Sequence, residues 1–209
     1  MALLTAGAAR LPAALDWAHA GRAMEGEPAS GDLHVVEPTA DGAMLAVIDG
    51  LGHGAEAAET AALAGRVLAE HAGEPPDALL LRCHEALAGT RGAVATVAAL
   101  DVRLGRLTLA GVGNVETVLL RRSGDGYRPV LVEPFPGILG HRMPALRTST
   151  LSLAAGDLLV LATDGIALRV DGATSARESA RSLATAILAE QAVPGDDALV
   201  LVARYLGAG

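Results

Sequence analysis

The chain has 209 residues, of which 51% are apolar but only 2% aromatic, with one cysteine and a formal net charge of −8. That length accommodates one domain with a sizeable core, and the acidic balance argues against nucleic acid or an anionic membrane as a general partner. No apolar run approaches the roughly 18–20 residues that span a bilayer. Cys83 alone cannot form an internal disulfide, consistent with a reducing cytoplasm. The opening Met1-Ala2-Leu3-Leu4 has no basic segment before it and Arg10 interrupts the apolar stretch, so a signal peptide is not expected.

In chain order, strands are expected over about 13–20 and 32–36, joined by the polar loop Glu25-Gly26-Glu27-Pro28-Ala29-Ser30-Gly31. The apolar run from Ala43 to Ile48 ends on Asp49, and the Gly-rich turn Gly50-Leu51-Gly52-His53-Gly54 comes next. A helix is predicted over 55–71, with Ala57, Ala61, Ala64, Val67 and Leu68 on one face. Glu56 and Glu59 suit the positive end of its dipole. Pro75-Pro76-Asp77 breaks the chain and starts a second helix through Leu87. There Leu80, Cys83 and Leu87 share a face, so Cys83 reads as a packed core residue rather than a nucleophile.

The period then shortens. Residues 93–101, 106–112 and 115–122 read as successive strands, and Ser123-Gly124-Asp125-Gly126 signals a hairpin into a strand near 128–133. Pro134 to Pro144 reads as a Pro/Gly-punctuated loop or flap. Strands near 146–152 and 157–163, a helix over about 175–191 and a last strand from Ala198 to Ala203 complete the chain. Helices grouped between blocks of antiparallel strands predict an α+β sandwich, not a doubly wound parallel sheet.

Three apolar runs end on, or begin from, an aspartate: Ala43–Ile48 into Asp49-Gly50, Leu158–Thr163 into Asp164-Gly165, and Asp196-Asp197 into Ala198–Ala203. Short runs of Val, Leu and Ile are what strands buried on both faces look like. A carboxylate at the rim of such a strand must be paired, hydrated or bound to a cation. Three of them, distant in sequence, point to one shared site, and all-oxygen ligation suits Mg²⁺ or Mn²⁺ rather than zinc. The chain therefore reads as a metal-dependent enzyme. Asp101, Asp125 and Asp157 also lie beside strands but in turn contexts, and read as structural.

Ser30-Gly31-Asp32, Asp49-Gly50-Leu51-Gly52-His53-Gly54, Thr163-Asp164-Gly165 and Asp196-Asp197 stand in the order and spacing of the PPM (type 2C) metal-dependent protein serine/threonine phosphatases. The resemblance is to their SpoIIE-like branch. Ala20-Gly21-Arg22, Cys83 to Leu87, Gly89 to Ala93 and Gly111 to Glu116 look like the RsbX-type stressosome phosphatases, and the likeness runs from about Ala18 to Arg204. It implies a single domain over 1–209, a four-layer α-β-β-α sandwich of two mostly antiparallel sheets flanked by helix pairs. It also implies two Mn²⁺ or Mg²⁺ ions, with room for a third. Asp49 would bridge the pair with the Gly50 carbonyl as an added ligand, Asp164 and Asp196 would complete the first ion's shell, and Asp32 would hold the second, mainly through waters. Attack on phosphorus would be by water, in line, with no phosphoenzyme intermediate.

Other residues carry open alternatives. Asp32 could instead cap the Ser-Gly turn, and Asp197 could accept hydrogen bonds or help hold a further ion. His53 could donate a proton to the departing serine alkoxide, or only pack or cap in its loop. Arg22 and Arg91 are candidates to grip the phosphate, and Asn114 is a candidate substrate contact beside Glu116. His141 and Arg142 lie in a loop suited to partner recognition. The resemblance implies a protein phosphatase acting on phosphoserine or phosphothreonine of a phosphorylated STAS-domain regulator. The single cysteine and the lack of a signal segment read as cytoplasmic, and with no heptad run or long apolar edge a monomer is the default expectation. A non-catalytic module that binds such a partner and a hydrolase of small phosphoesters are the rival readings.

Overall fold

The computed structural model describes residues 11–132, 136–143, 145–169 and 178–208. The elements are β1 (Leu15–Arg22), β2 (Asp32–Pro38), β3 (Gly42–Gly50), α1 (Gly54–Glu70), α2 (Pro76–Ala86), β4 (Ala93–Asp101), β5 (Arg106–Val112), β6 (Glu116–Ser123), β7 (Gly126–Val132), β8 (Ser149–Ser152), β9 (Leu158–Ala162), α3 (Ala180–Gln191) and β10 (Ala198–Tyr205). They build two five-stranded sheets, ordered β1-β10-β9-β6-β7 and β2-β3-β4-β5-β8. Every strand pair is antiparallel.

Alternation along the strands explains the layering. Leu45 and Val47 of β3 face Leu159, Leu161, Leu199 and Leu201 of the other sheet, forming the inter-sheet core. Met44, Ala46 and Ile48 turn the opposite way, against Ala61, Ala64 and Leu68 of α1 and Leu79, Leu80 and Cys83 of α2. On the far side, Val160, Val200 and Val202 pack against Ala180, Leu183 and Ala184 of α3. A strand covered on both faces is apolar at every position, as β3, β9 and β10 are through most of their length. The order of layers is α-β-β-α.

Among the described residues the helix pair α1–α2 covers the first of the expected outer layers. Among the described residues α3 alone covers the second sheet, and the expected start of that helix at 175–177 lies outside them, as do parts of the Pro134–Pro144 loop. The strand expected from 146 begins only at Ser149, because Leu146 packs against the α1–α2 layer instead of pairing with β5. At the first strand the offset runs the other way. β1 continues to Arg22, whose backbone pairs with Ala198. Cys83 is fully buried, and burial pushes its thiol up to about 12, so it is a core residue as expected. No helix among the described residues is long and apolar enough to cross a membrane.

Candidate metal centre

The β2–β3 register sets Asp32 directly opposite Asp49. The two carboxylates therefore start from neighbouring backbone positions on one sheet. The other sheet brings its own acids to the same end of the sandwich. Asp164 lies just past the end of β9, and Asp196 and Asp197 precede the first residue of β10, its antiparallel neighbour. Two glycines let these strand ends approach. A Cβ on Gly165 would stand 1.7 Å from the carbonyl oxygen of Asp197, and one on Gly50 would stand 2.3 Å from the carbonyl oxygen of Ala57. Neither could be accommodated without moving backbone.

Hydrogen bonds tie the two sheets together at this rim. The Thr163 hydroxyl donates to Asp32 Oδ2 at 2.7 Å and accepts from the Leu199 N–H at 2.9 Å. Asp197 accepts the Met24 N–H on Oδ1 and the Gly31 N–H on Oδ2, both at 2.7 Å. The Gly50 N–H donates to the Gly31 carbonyl at 3.0 Å. The Ser30 hydroxyl accepts the Asp32 N–H at 3.1 Å. Asn114 Nδ2 donates to Asp164 Oδ2 at 2.9 Å, and the Asp197 N–H donates to Asp196 Oδ1 at 2.9 Å.

Electrostatics reports the crowding directly. Burial, and then the charges of Asp32, Asp164, Asp196 and Asp197, push Asp49 up to about 8. Burial likewise lifts Asp32 to about 7 against the opposing Thr163 hydrogen bond, with Asp197, Asp164 and Asp196 adding to the rise. Like charges held together disfavour ionisation, and an added cation reverses that. Among the described residues no hydrogen bond is made to the Asp49 carboxylate, which leaves its lone pairs to an outside partner. The donors are hard oxygens, as Mg²⁺ and Mn²⁺ prefer. Among the described residues the acids do not close into a ready-made three-ligand cage. A hard cation that keeps part of its water shell does not require one. The residues fit a divalent cation.

The remaining candidates sit around this cluster rather than in it. His53 is exposed, with Nδ1 2.6 Å from Glu27 Oε1. It occupies the N-cap position of α1 without a side-chain capping bond, so the capping alternative is not what the structure shows. Arg91 bonds Glu56 Oε2 through Nε at 2.6 Å, and its guanidinium lies so close to Gly52 that a Cβ there would meet it at 2.6 Å. Arg22 donates to the Val193 carbonyl at 2.8 Å and shares with Asp32 a surface cleft of about 380 Å³. His141 Nε2 lies 3.0 Å from the carbonyls of both Thr90 and Arg91, pinning the loop after β7 to the turn before β4. The sequence reading gives no separate role to Thr163, Ser30 or Glu27. A hydroxyl immediately before Asp164 is the only available signal among the three.

The comparisons with known proteins agree with this geometry. Residues 39–206 match the family of Stage II sporulation protein E (SpoIIE). The phosphoserine phosphatase RsbX of Bacillus subtilis (strain 168) is 29% identical over 142 residues, covering 68% of this chain and 70% of its own. Among solved structures, a chain from work on the bacterial stressosome, described as a modular system adapted to control secondary messenger signaling, is 34% identical. It superposes with a TM-score of 0.81 over 91% of this chain and 99% of its own. RsbX in complex with magnesium shares the fold at a TM-score of 0.83 and 21% identity, over 93% of this chain and 97% of its own. With four aspartate-bearing strand ends gathered at one rim and most of its length matched, the chain belongs to the SpoIIE family of PPM (type 2C) phosphatases.

Proposed function

We propose that this chain is a cytoplasmic, monomeric, metal-dependent phosphatase that hydrolyses phosphoserine or phosphothreonine on a regulatory protein, the partner being a phosphorylated STAS-domain protein. The observation that carries the reading is the Asp32–Asp49 pair facing Asp164, Asp196 and Asp197, with two carboxyls pushed far above their usual range. Asp49, Asp164 and Asp196 would hold one Mn²⁺ or Mg²⁺ ion and Asp49 with Asp32 a second, the Gly50 carbonyl being an added ligand. Bound there, such ions supply Lewis acidity and make water nucleophilic near neutral pH.

The protein's own part is positioning. Thr163 fixes the rotamer of Asp32, and Asn114 holds one oxygen of Asp164. Of the two roles open to Asp197, accepting hydrogen bonds or helping to hold a further ion, the bracing one has support, since both of its oxygens accept backbone N–H groups. That brace holds the Ser30-Gly31-Asp32 turn against the start of β10. Glu27 fixes the orientation of His53 through Nδ1, which leaves Nε2 as the atom able to pass a proton to the leaving serine oxygen. Arg22, on the cleft that contains Asp32, is the side chain placed to meet phosphoryl oxygens.

The test is release of phosphate from a serine-phosphorylated STAS-domain protein by purified enzyme in Mn²⁺, with Asp49→Asn alongside. Turnover by the wild type that the variant loses supports the reading. Binding of the phosphoprotein without turnover by the wild type would replace it with the binding-module alternative. Turnover of small phosphoesters alone would replace it with the small-molecule hydrolase.

A further inference from the structure

The chain contains one Trp, two Tyr and one Phe in 209 residues, yet it places a ring cluster at one edge of the sandwich. His19 and His34 stack with centroids 3.6 Å apart, and Trp17 lies 6.5 Å from His19 and 6.1 Å from His34. β1 and β2 are outer strands of different sheets, so this stack spans the open seam between the layers. Trp17 and Val36, on the same strand faces, pack into the inter-sheet core below.

The stack adjoins the acid cluster. His34 is two residues beyond Asp32 and therefore on the same face of β2. His19, His34, Arg22, Ser30 and Asp32 line one cleft of about 380 Å³. Toward one end are Asp32, the cleft's one acid, and Arg22, and toward the other are flat rings with polar edges. A seam needing only closure could be filled with Leu or Val, as the rest of the inter-sheet core is. Rings with hydrogen-bonding edges, by contrast, suit the alternating amide planes of an extended chain.

We infer that this cleft is a specificity site that seats the extended polypeptide flanking the phosphoserine of the protein substrate, with the phosphate toward Asp32 and Arg22 and the flanking backbone across the His19–His34 stack. This rests on the proposed phosphatase reading and adds to it which part of the surface selects protein over small ester. An ester without flanking residues reaches the acids but not the rings.

The experiment compares His19→Ala, and the His19→Ala/His34→Ala pair, with wild type on two substrates in Mn²⁺: a serine-phosphorylated STAS-domain protein and p-nitrophenyl phosphate. The expected result is a rise in KM for the phosphoprotein of about tenfold with kcat little altered, and a several-fold smaller change in kcat/KM for p-nitrophenyl phosphate. His19 is exposed on an outer strand, so the single variant keeps the test available if the pair fails to fold. Equal losses on both substrates would overturn the inference, as would no change on either. A wild type that cleaves p-nitrophenyl phosphate but not the phosphoprotein would be a failure of the phosphatase reading itself.

Discussion

Asp157 and Asp164 flank the same strand, β9, at its two ends, and they live in opposite electrostatic worlds. Asp157 is 2% exposed and is completely provided for. Arg121 donates to Oδ2 at 2.8 Å, the Ala154 N–H to the same oxygen at 2.9 Å and the Arg122 N–H to Oδ1 at 3.0 Å. At the other end, Asp164 joins Asp32, Asp49, Asp196 and Asp197, and the cluster's two raised carboxyls are raised by burial and by neighbouring acids. A buried acid with its own cation and N–H donors is architecture. A set of acids that repel one another in a folded protein anticipates a cation from solution.

The comparison breaks most sharply if the two ends respond alike to mutation. Asp49→Asn should lower phosphatase kcat by at least about 10³-fold, equivalent to about 4 kcal/mol of barrier, while the metal-free protein melts no lower than wild type. Asp157→Ala should do the reverse. Removing the buried partner of Arg121 should cost about 3 kcal/mol of stability in chemical denaturation, with kcat per folded molecule unchanged.

The pH dependence of stability sharpens the same contrast. A carboxyl that moves from 3.8 in the unfolded chain to about 8 in the fold binds its proton more tightly when folded. Its contribution to stability is therefore complete below pH about 4 and is lost as pH rises through about 8. In a chelator the melting temperature should fall between about pH 5 and about pH 8.5, and Mg²⁺ or Mn²⁺ should restore it most at the alkaline end. Asp49→Asn should flatten the slope. A metal-free melting temperature independent of pH would remove the evidence for crowding. The smallest effect is expected at Asn114. Losing its single hydrogen bond to Asp164 should cost about 1 kcal/mol, seen as a roughly fivefold weaker Mn²⁺ activation constant.

Much of this contrast is legible in the chain before any coordinates. The rule that separates Asp157 from Asp164 is a turn before a strand against an apolar run ending in Thr-Asp-Gly, and the structure keeps both in those places. The strand and helix order comes from apolar periodicity, which local sequence carries. What the chain does not display is long-range register. Asp197 reaches Gly31 across 166 positions and His53 meets Glu27 across 26, contacts fixed by how two sheets stack rather than by any nearby residue. The His19–His34 stack is hidden for the same reason, since each histidine alone is an ordinary strand residue. Arg91, a candidate to grip the phosphate, meets Glu56 across 35 positions, a contact hidden in the same way.

The most direct measurement is anomalous diffraction from crystals soaked in Mn²⁺. The account predicts manganese peaks bonded to the Asp49 carboxylate, one shared with Asp164 and Asp196 and a second on the Asp32 side. Manganese bound elsewhere, with Asp49 left uncoordinated, would contradict it.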